Sequence, residues 1–212
     1  MSIETLRELV DEQAQLWLLS LGQYHQMIAI GALPEGEPYE LLQGHLVRKN
    51  RSARGEDPVT VGHEHAAVVR RLAKHNVQFE PLGCFLQTQQ PITLPPFNEP
   101  EPDGAILIGK EEDYDQRHPN ADDVLCVMEV ADASLHRDRT IKQQIYADSG
   151  LPQYIILNLP DRCAEVYTQP LPGKARYGCL ATLSQDQVLI LPAPGQRQLR
   201  VPVGHLLPGE SG

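Results

Sequence analysis

Val124-Leu-Cys-Val-Met-Glu-Val130 is an apolar run interrupted only by Glu129, and it runs on into Ala131-Asp-Ala-Ser-Leu-His-Arg-Asp-Arg-Thr-Ile-Lys-Gln-Gln-Ile-Tyr146. Short, unalternating apolar runs rich in β-branched residues form strands covered on both faces. After Val130 the pattern changes. Asp138 is suited to an N-cap, Ile141 and Ile145 are four apart, and Gly150 with Pro152 closes the segment, so a helix is predicted over roughly residues 139–149. A carboxylate at the end of a buried strand is costly unless something pairs with it. Glu129 therefore needs a partner.

Working outward, Asp103-Gly-Ala-Ile-Leu-Ile108 reads as a strand that opens on an acid, and Gln153-Tyr-Ile-Ile-Leu-Asn158 as another buried strand. Ala164–Thr168 is set to pair with the latter across Leu159–Arg162. Between Val77 and Gln90 we expect strand structure interrupted near Pro81-Leu-Gly83, followed by a stiff, proline-rich loop over Pro91–Pro102. Tyr39–Val47 reads as two short strands around a turn at Gln43-Gly44. One or two helices are expected between Ile3 and Ile30, and another from about Thr60 to His75. The C-terminal part alternates Pro/Gly turns with short strands near 177–182, 188–191 and 199–203. These strands and helices make an α/β class the expectation, with an N-terminal helical extension over residues 1–32 and one domain over 33–208; the resemblance described below implies the α+β mixed sheet.

Composition narrows the function. The 212 residues carry a formal net charge of −10, so there is no overall basic footprint for nucleic acid. Positive potential would have to be local, from Arg48–Arg54, Arg137 and Arg139. The acidic run Glu111–Asp115 reads as a solvated loop. Four scattered cysteines form no Cys-x-x-Cys pair, and no membrane span or secretory leader is apparent, so a reduced, cytoplasmic protein is expected. His63 and His65, two apart, make a poor metal pair on a helix and are expected to pack or cap.

With surface acids set aside, Glu40, Asp103, Glu129 and Lys142 remain. Carboxylates on neighbouring strands repel unless a cation relieves them. Mg²⁺ or Mn²⁺ would do so, held by Asp103, Glu129 and the backbone carbonyl near Val130, with waters and phosphate oxygens completing the shell. Lys142 would then steady a metal-activated water or developing negative charge, which is the chemistry of phosphodiester hydrolysis. The competing reading is a set of satisfied caps and ion pairs, with Lys142 exposed on its helix.

A resemblance favours the chemistry. Pro102-Asp103, Glu129-Val-Ala-Asp-Ala-Ser-Leu135, Asp138-Arg139, Lys142, Tyr146-Ala-Asp-Ser-Gly-Leu-Pro-Gln-Tyr154 and Glu165-Val-Tyr167 occur in order, and Tyr39–Val47 with His65 and Leu72 match further upstream. Over roughly residues 30–205 the chain resembles the Uma-two family of restriction-endonuclease-like proteins, within the PD-(D/E)xK nuclease superfamily. That resemblance implies a restriction-endonuclease-like core, a mixed sheet flanked by helices, and metal-dependent DNA cleavage. Asp103 matches the PD aspartate, Glu129 the (D/E) acid, and Glu40 an additional N-terminal acid. Where the superfamily carries lysine, two residues after Glu129, stands Ala131; Lys142 on the following helix takes that place. Ile155 and Asn158 stand where the family more often has Trp and Asp, a difference in packing. DNA and a second copy of the chain are the expected partners, with no membrane. The alternative is a non-catalytic member that keeps the fold as a DNA- or protein-binding module.

Overall fold

The computed structural model describes residues 16–34, 38–48 and 62–209. Outside these fall the first half of the expected N-terminal helices, all of the basic stretch after Arg48, and Thr60 at the expected start of the next helix.

Six strands form the central sheet: β3 (Cys84–Gln87), β4 (Gly104–Ile108), β5 (Val124–Ala131), β6 (Gln153–Asn158), β7 (Cys163–Leu171) and β8 (Arg176–Leu183), in that spatial order. Every neighbouring pair is antiparallel except β5 with β6. That one parallel pair requires a crossover, which the helical segment Leu135–Asp148 supplies. The sheet is mixed and flanked by helices, as the family resemblance implies, and β5 and β6 occupy the two apolar runs.

Alternation along β5 sorts its side chains. Cys126, Met128 and Val130 enter one apolar cluster, with Val68 and Leu72 of α2 (His63–Ala73) and with Leu189, Leu191 and Val201 of the hairpin β9 (Val188–Ala193) and β10 (Arg197–Pro202). Val127 and Ala131 enter the other cluster, beneath Ile145, Tyr146 and Ala147 of the crossover. Glu129 falls on this second face, so its carboxylate points at the crossover helix.

The crossover departs from expectation. It begins at Leu135, so Asp138 lies inside the helical segment and is not its N-cap. Leu135–Arg137 (α4) leads into a wide turn over Asp138–Lys142, where the Gln143 backbone N–H donates to the Asp138 carbonyl five residues back, and α5 (Gln143–Asp148) completes it. Val77–Gln90 is also corrected: Asn76–Phe79 (α3) and a 3₁₀ turn, Glu80–Leu82, precede the only strand there, β3. Pro81 and Gly83, the latter at φ 73°, end the helical turns.

β1 (Tyr39–Leu42) and β2 (His45–Arg48) form the expected hairpin. Gln43 and Gly44 both have positive φ, the geometry of a two-residue type I′ turn. A Cβ on Gly44 would meet the Leu18 Cβ at 2.7 Å, so glycine lets the segment before α1 (Leu21–Ala29) lie against the turn. Ser20 caps α1 and His25 reaches both oxygens of buried Glu99 at 2.9 Å, tying the helix to the proline-rich segment. No helix among the described residues is long and apolar enough to cross a membrane.

Candidate active site

The site is built where β4 begins and β5 ends. Gly104 pairs with Met128, so one further step of that register sets Asp103 opposite Glu129. Asp103 Oδ2 accepts from the Val130 backbone N–H at 2.9 Å, bonding the two strand ends together through a side chain. The same oxygen meets His65 Nε2 at 3.0 Å.

Lys142 comes down from the crossover onto Glu129. Its Nζ donates to Glu129 Oε1 at 2.7 Å and stands 2.9 Å from Glu40 Oε1. Glu40, on β1, also accepts from the Glu101 backbone N–H at 2.8 Å. The Tyr146 hydroxyl, one turn beyond Lys142, donates to Glu129 Oε1 at 2.7 Å. Asp138, Lys142 and Tyr146 recur at four-residue spacing and are all buried. Lys142, far from being exposed on its helix, has 0% relative exposure, as does Glu40.

A lysine stripped of water favours the neutral amine, and burial does pull Lys142 that way. The charges of Glu129 and Glu40 outweigh it and hold the ammonium well above its ordinary range. Tyr146 is pushed far up by burial and by the Glu129 charge, so it remains a donor. Asp138 is raised by burial, against the opposing pull of Lys142; Ser134 Oγ donates to its Oδ2 at 2.6 Å, and Arg137 Nε lies 4.0 Å from Oδ1.

The structure therefore joins Glu40 and Glu129 through Lys142, and sets Asp103, bonded to the Val130 N–H, across from Glu129 at the adjoining strand ends. Sequence reasoning omitted three neighbours. Asp138 was assigned to a helix cap. Tyr146 carries no sequence signal beyond its place in the family motif, and His65 reads from its spacing as a packing residue. The signal for His65 was available: it shares a helix face with Val68 and Leu72, at spacings of three and seven, and that face is the buried one.

Of the arginines expected to supply positive potential, Arg139 is engaged within the protein, and Arg51 and Arg54 lie outside the described residues. Arg139 Nε bridges both oxygens of buried Glu165 at 3.1 Å, and its Nη2 lies 3.6 Å from Asp161. Glu165 also accepts from Asn158 Nδ2 and the Tyr167 hydroxyl, each at 2.9 Å. The acidic run forms a 3₁₀ turn, Glu111–Tyr114, whose three carboxylates are exposed as expected.

Comparison with known proteins adds the kinship. The family model named Uma2 and described as “Putative restriction endonuclease” matches residues 21–204. The chain belongs to the Uma2 (Uma-two) family. No curated protein matches it. Among solved structures, the chain is similar to a crystal structure described as a “putative nuclease belonging to DUF820” from Anabaena variabilis, at 14% identity and a TM-score of 0.64. The match covers 89% of this chain and 97% of that one. That likeness shows the fold, a restriction-endonuclease-like mixed sheet. The Uma2 match supports a nuclease, and it begins at the first residue of α1.

Proposed function

We propose that the chain is a divalent-metal-dependent endonuclease that hydrolyses phosphodiester bonds of DNA. The observation that carries this reading is the buried Lys142 ammonium joined to Glu129 at the end of β5, beside Asp103 at the start of β4. A charged lysine and carboxylates enclosed together are expensive to keep unless geometry or function requires them.

The donor set suits a hard cation. The proposed ligands are all oxygens, unlike the nitrogen and sulfur donors typical of a zinc cage. Two carboxylates, Asp103 and Glu129, with the Val130 carbonyl, match Mg²⁺ or Mn²⁺, which keep several waters. When bound, such an ion lowers the pKa of a coordinated water and draws charge from a phosphoryl oxygen. The chain's own residues do the positioning: Val130 N–H fixes Asp103, while Tyr146 and Lys142 fix Glu129. Lys142 stays cationic, ready to offset the negative charge that builds on the phosphate. Cutting both strands with one site per chain favours a twofold homodimer, and size-exclusion chromatography with light scattering tests it.

A second reading rests on burial. Lys142 and Glu40 have 0% exposure, as they would in a closed, purely structural ion-pair cluster of a non-catalytic binding module. Plasmid nicking separates the two. With Mg²⁺ or Mn²⁺ the protein is expected to nick or cut supercoiled DNA, and Asp103→Asn or Lys142→Ala to abolish this. Absence of cleavage across metals and DNA forms, with no metal binding by calorimetry, overturns the enzyme reading.

A further inference from the structure

We propose that His65 is the positioning residue for Asp103, presenting its carboxylate to the divalent cation; this inference rests on the metal reading above. The packing of α2 aims the imidazole. His65, Val68 and Leu72 lie on one helix face, and Val68 and Leu72 are buried against the sheet. Gly104, directly after Asp103, permits the close approach: a Cβ there would stand 3.3 Å from Met128 Cε and 3.5 Å from Leu72 Cδ1. The first turn of α2 is also tied to the β6–β7 turn, where Arg162 Nη2 donates to Glu64 Oε1 at 2.8 Å. His65 is thus held from both sides, with its Nε2 3.0 Å from Asp103 Oδ2.

The Val130 N–H donates to that same oxygen from a different direction. One donor alone lets a carboxylate swing about its Cβ–Cγ bond; two donors on one oxygen fix its plane. Partners of this kind, one bond beyond a metal ligand, orient the ligand and tune its basicity. The nitrogen facing the site is already committed to Asp103, so His65 acts through the carboxylate and is not itself a ligand.

The test is Mn²⁺ binding to the full chain by titration calorimetry, a readout independent of cleavage. His65→Ala is expected to weaken Mn²⁺ binding about 10–100-fold, the usual cost of losing such a partner. His65→Gln keeps an N–H donor at similar reach and is expected to restore affinity close to wild type. Thermal melting without metal checks that each variant is folded; should His65→Ala melt too early to titrate, His65→Asn, whose amide falls short of Asp103, replaces it. Unchanged affinity in His65→Ala or His65→Asn overturns the proposal. So does a His65→Gln as weak as His65→Ala, the result expected of a direct ligand. An Asp103→Asn variant that loses Mn²⁺ beside an unaffected His65→Ala would leave the metal reading standing and remove only this inference. A wild-type chain that binds no Mn²⁺ removes both.

Discussion

Lys142 Nζ lies 2.7 Å from Glu129 Oε1, joining a helix to the strand thirteen residues before it, and the ammonium is closed off from water. Within the low-dielectric interior each charge depends on the other. Replacing Lys142 with methionine preserves much of the volume but leaves Glu129 and Glu40 facing one another without their cation. Breaking a buried pair from one side costs about 3–5 kcal/mol. Urea denaturation of Lys142→Met is expected to show a loss of that size at neutral pH. A loss near zero would mean the pair contributes little in the folded state.

Tyr146 gives a finer probe of the same carboxylate. Its hydroxyl donates to Glu129 at 2.7 Å, while its ring packs on Tyr154 with centroids 4.9 Å apart. Tyr146→Phe keeps the ring and removes the donor, at a cost of about 1.5–3 kcal/mol for a hydrogen bond to a charged group. In a double-mutant cycle with Glu129→Gln, measured by chemical denaturation, the two changes are expected to be strongly non-additive. Additive costs would place the effect of Tyr146 in the ring.

How far the sequence reached depended on the range of each interaction. β5 and β6 were legible because burial on both faces leaves a continuous apolar run, and the hairpin turn because Gly44 suits positive φ, which Gln43 also adopts. Lys142 was legible as a candidate because it follows Glu129 closely along the chain. Asp138 was misassigned because an aspartate ahead of an amphipathic stretch usually caps a helix. Nothing local reveals that the turn beginning at Ser134 adds a wide turn and draws Asp138 inside. Val77–Gln90 looked like a strand because Val, Phe and Leu recur there, but helical turns occupy its first part. His65 meets Asp103 across 38 residues, and single-sequence periodicity can state only that it faces inward.

Glu165 predicts behaviour in acid. Burial raises its pKa, but donors from Arg139, Asn158 and Tyr167 outweigh burial and hold the carboxyl below its ordinary value. A group depressed in the folded state contributes stability above its unfolded pKa and loses it as pH falls through the folded pKa. Wild type should therefore lose stability on acidification, from the ordinary glutamate range downward, by more than Glu165→Gln does. Tm measured in steps from neutral pH into that range checks this, and parallel curves for the two proteins would refute it. Arg139→Gln, which removes the principal donor, is expected to flatten the wild-type curve in the same direction.

Asp138 predicts the opposite sign. Its side chain is buried at 1% exposure within the wide turn, and burial raises its pKa despite Lys142 nearby. A carboxyl whose folded pKa lies above its unfolded value contributes stability below the unfolded pKa and loses it as pH rises through the folded one. Ionised Asp138 is thus a burden at neutral pH that the neutral amide of Asp138→Asn does not carry. The Tm of Asp138→Asn relative to wild type is expected to rise between the ordinary aspartate range and neutrality. Each 1 kcal/mol of that difference reads as roughly 2–4 °C in a chain of this size. Ser134 Oγ can still donate to the amide oxygen, so the substitution leaves that bond available. A Tm difference independent of pH would show that Asp138 does not titrate across this window and that the Lys142 charge, not burial, sets its ionisation.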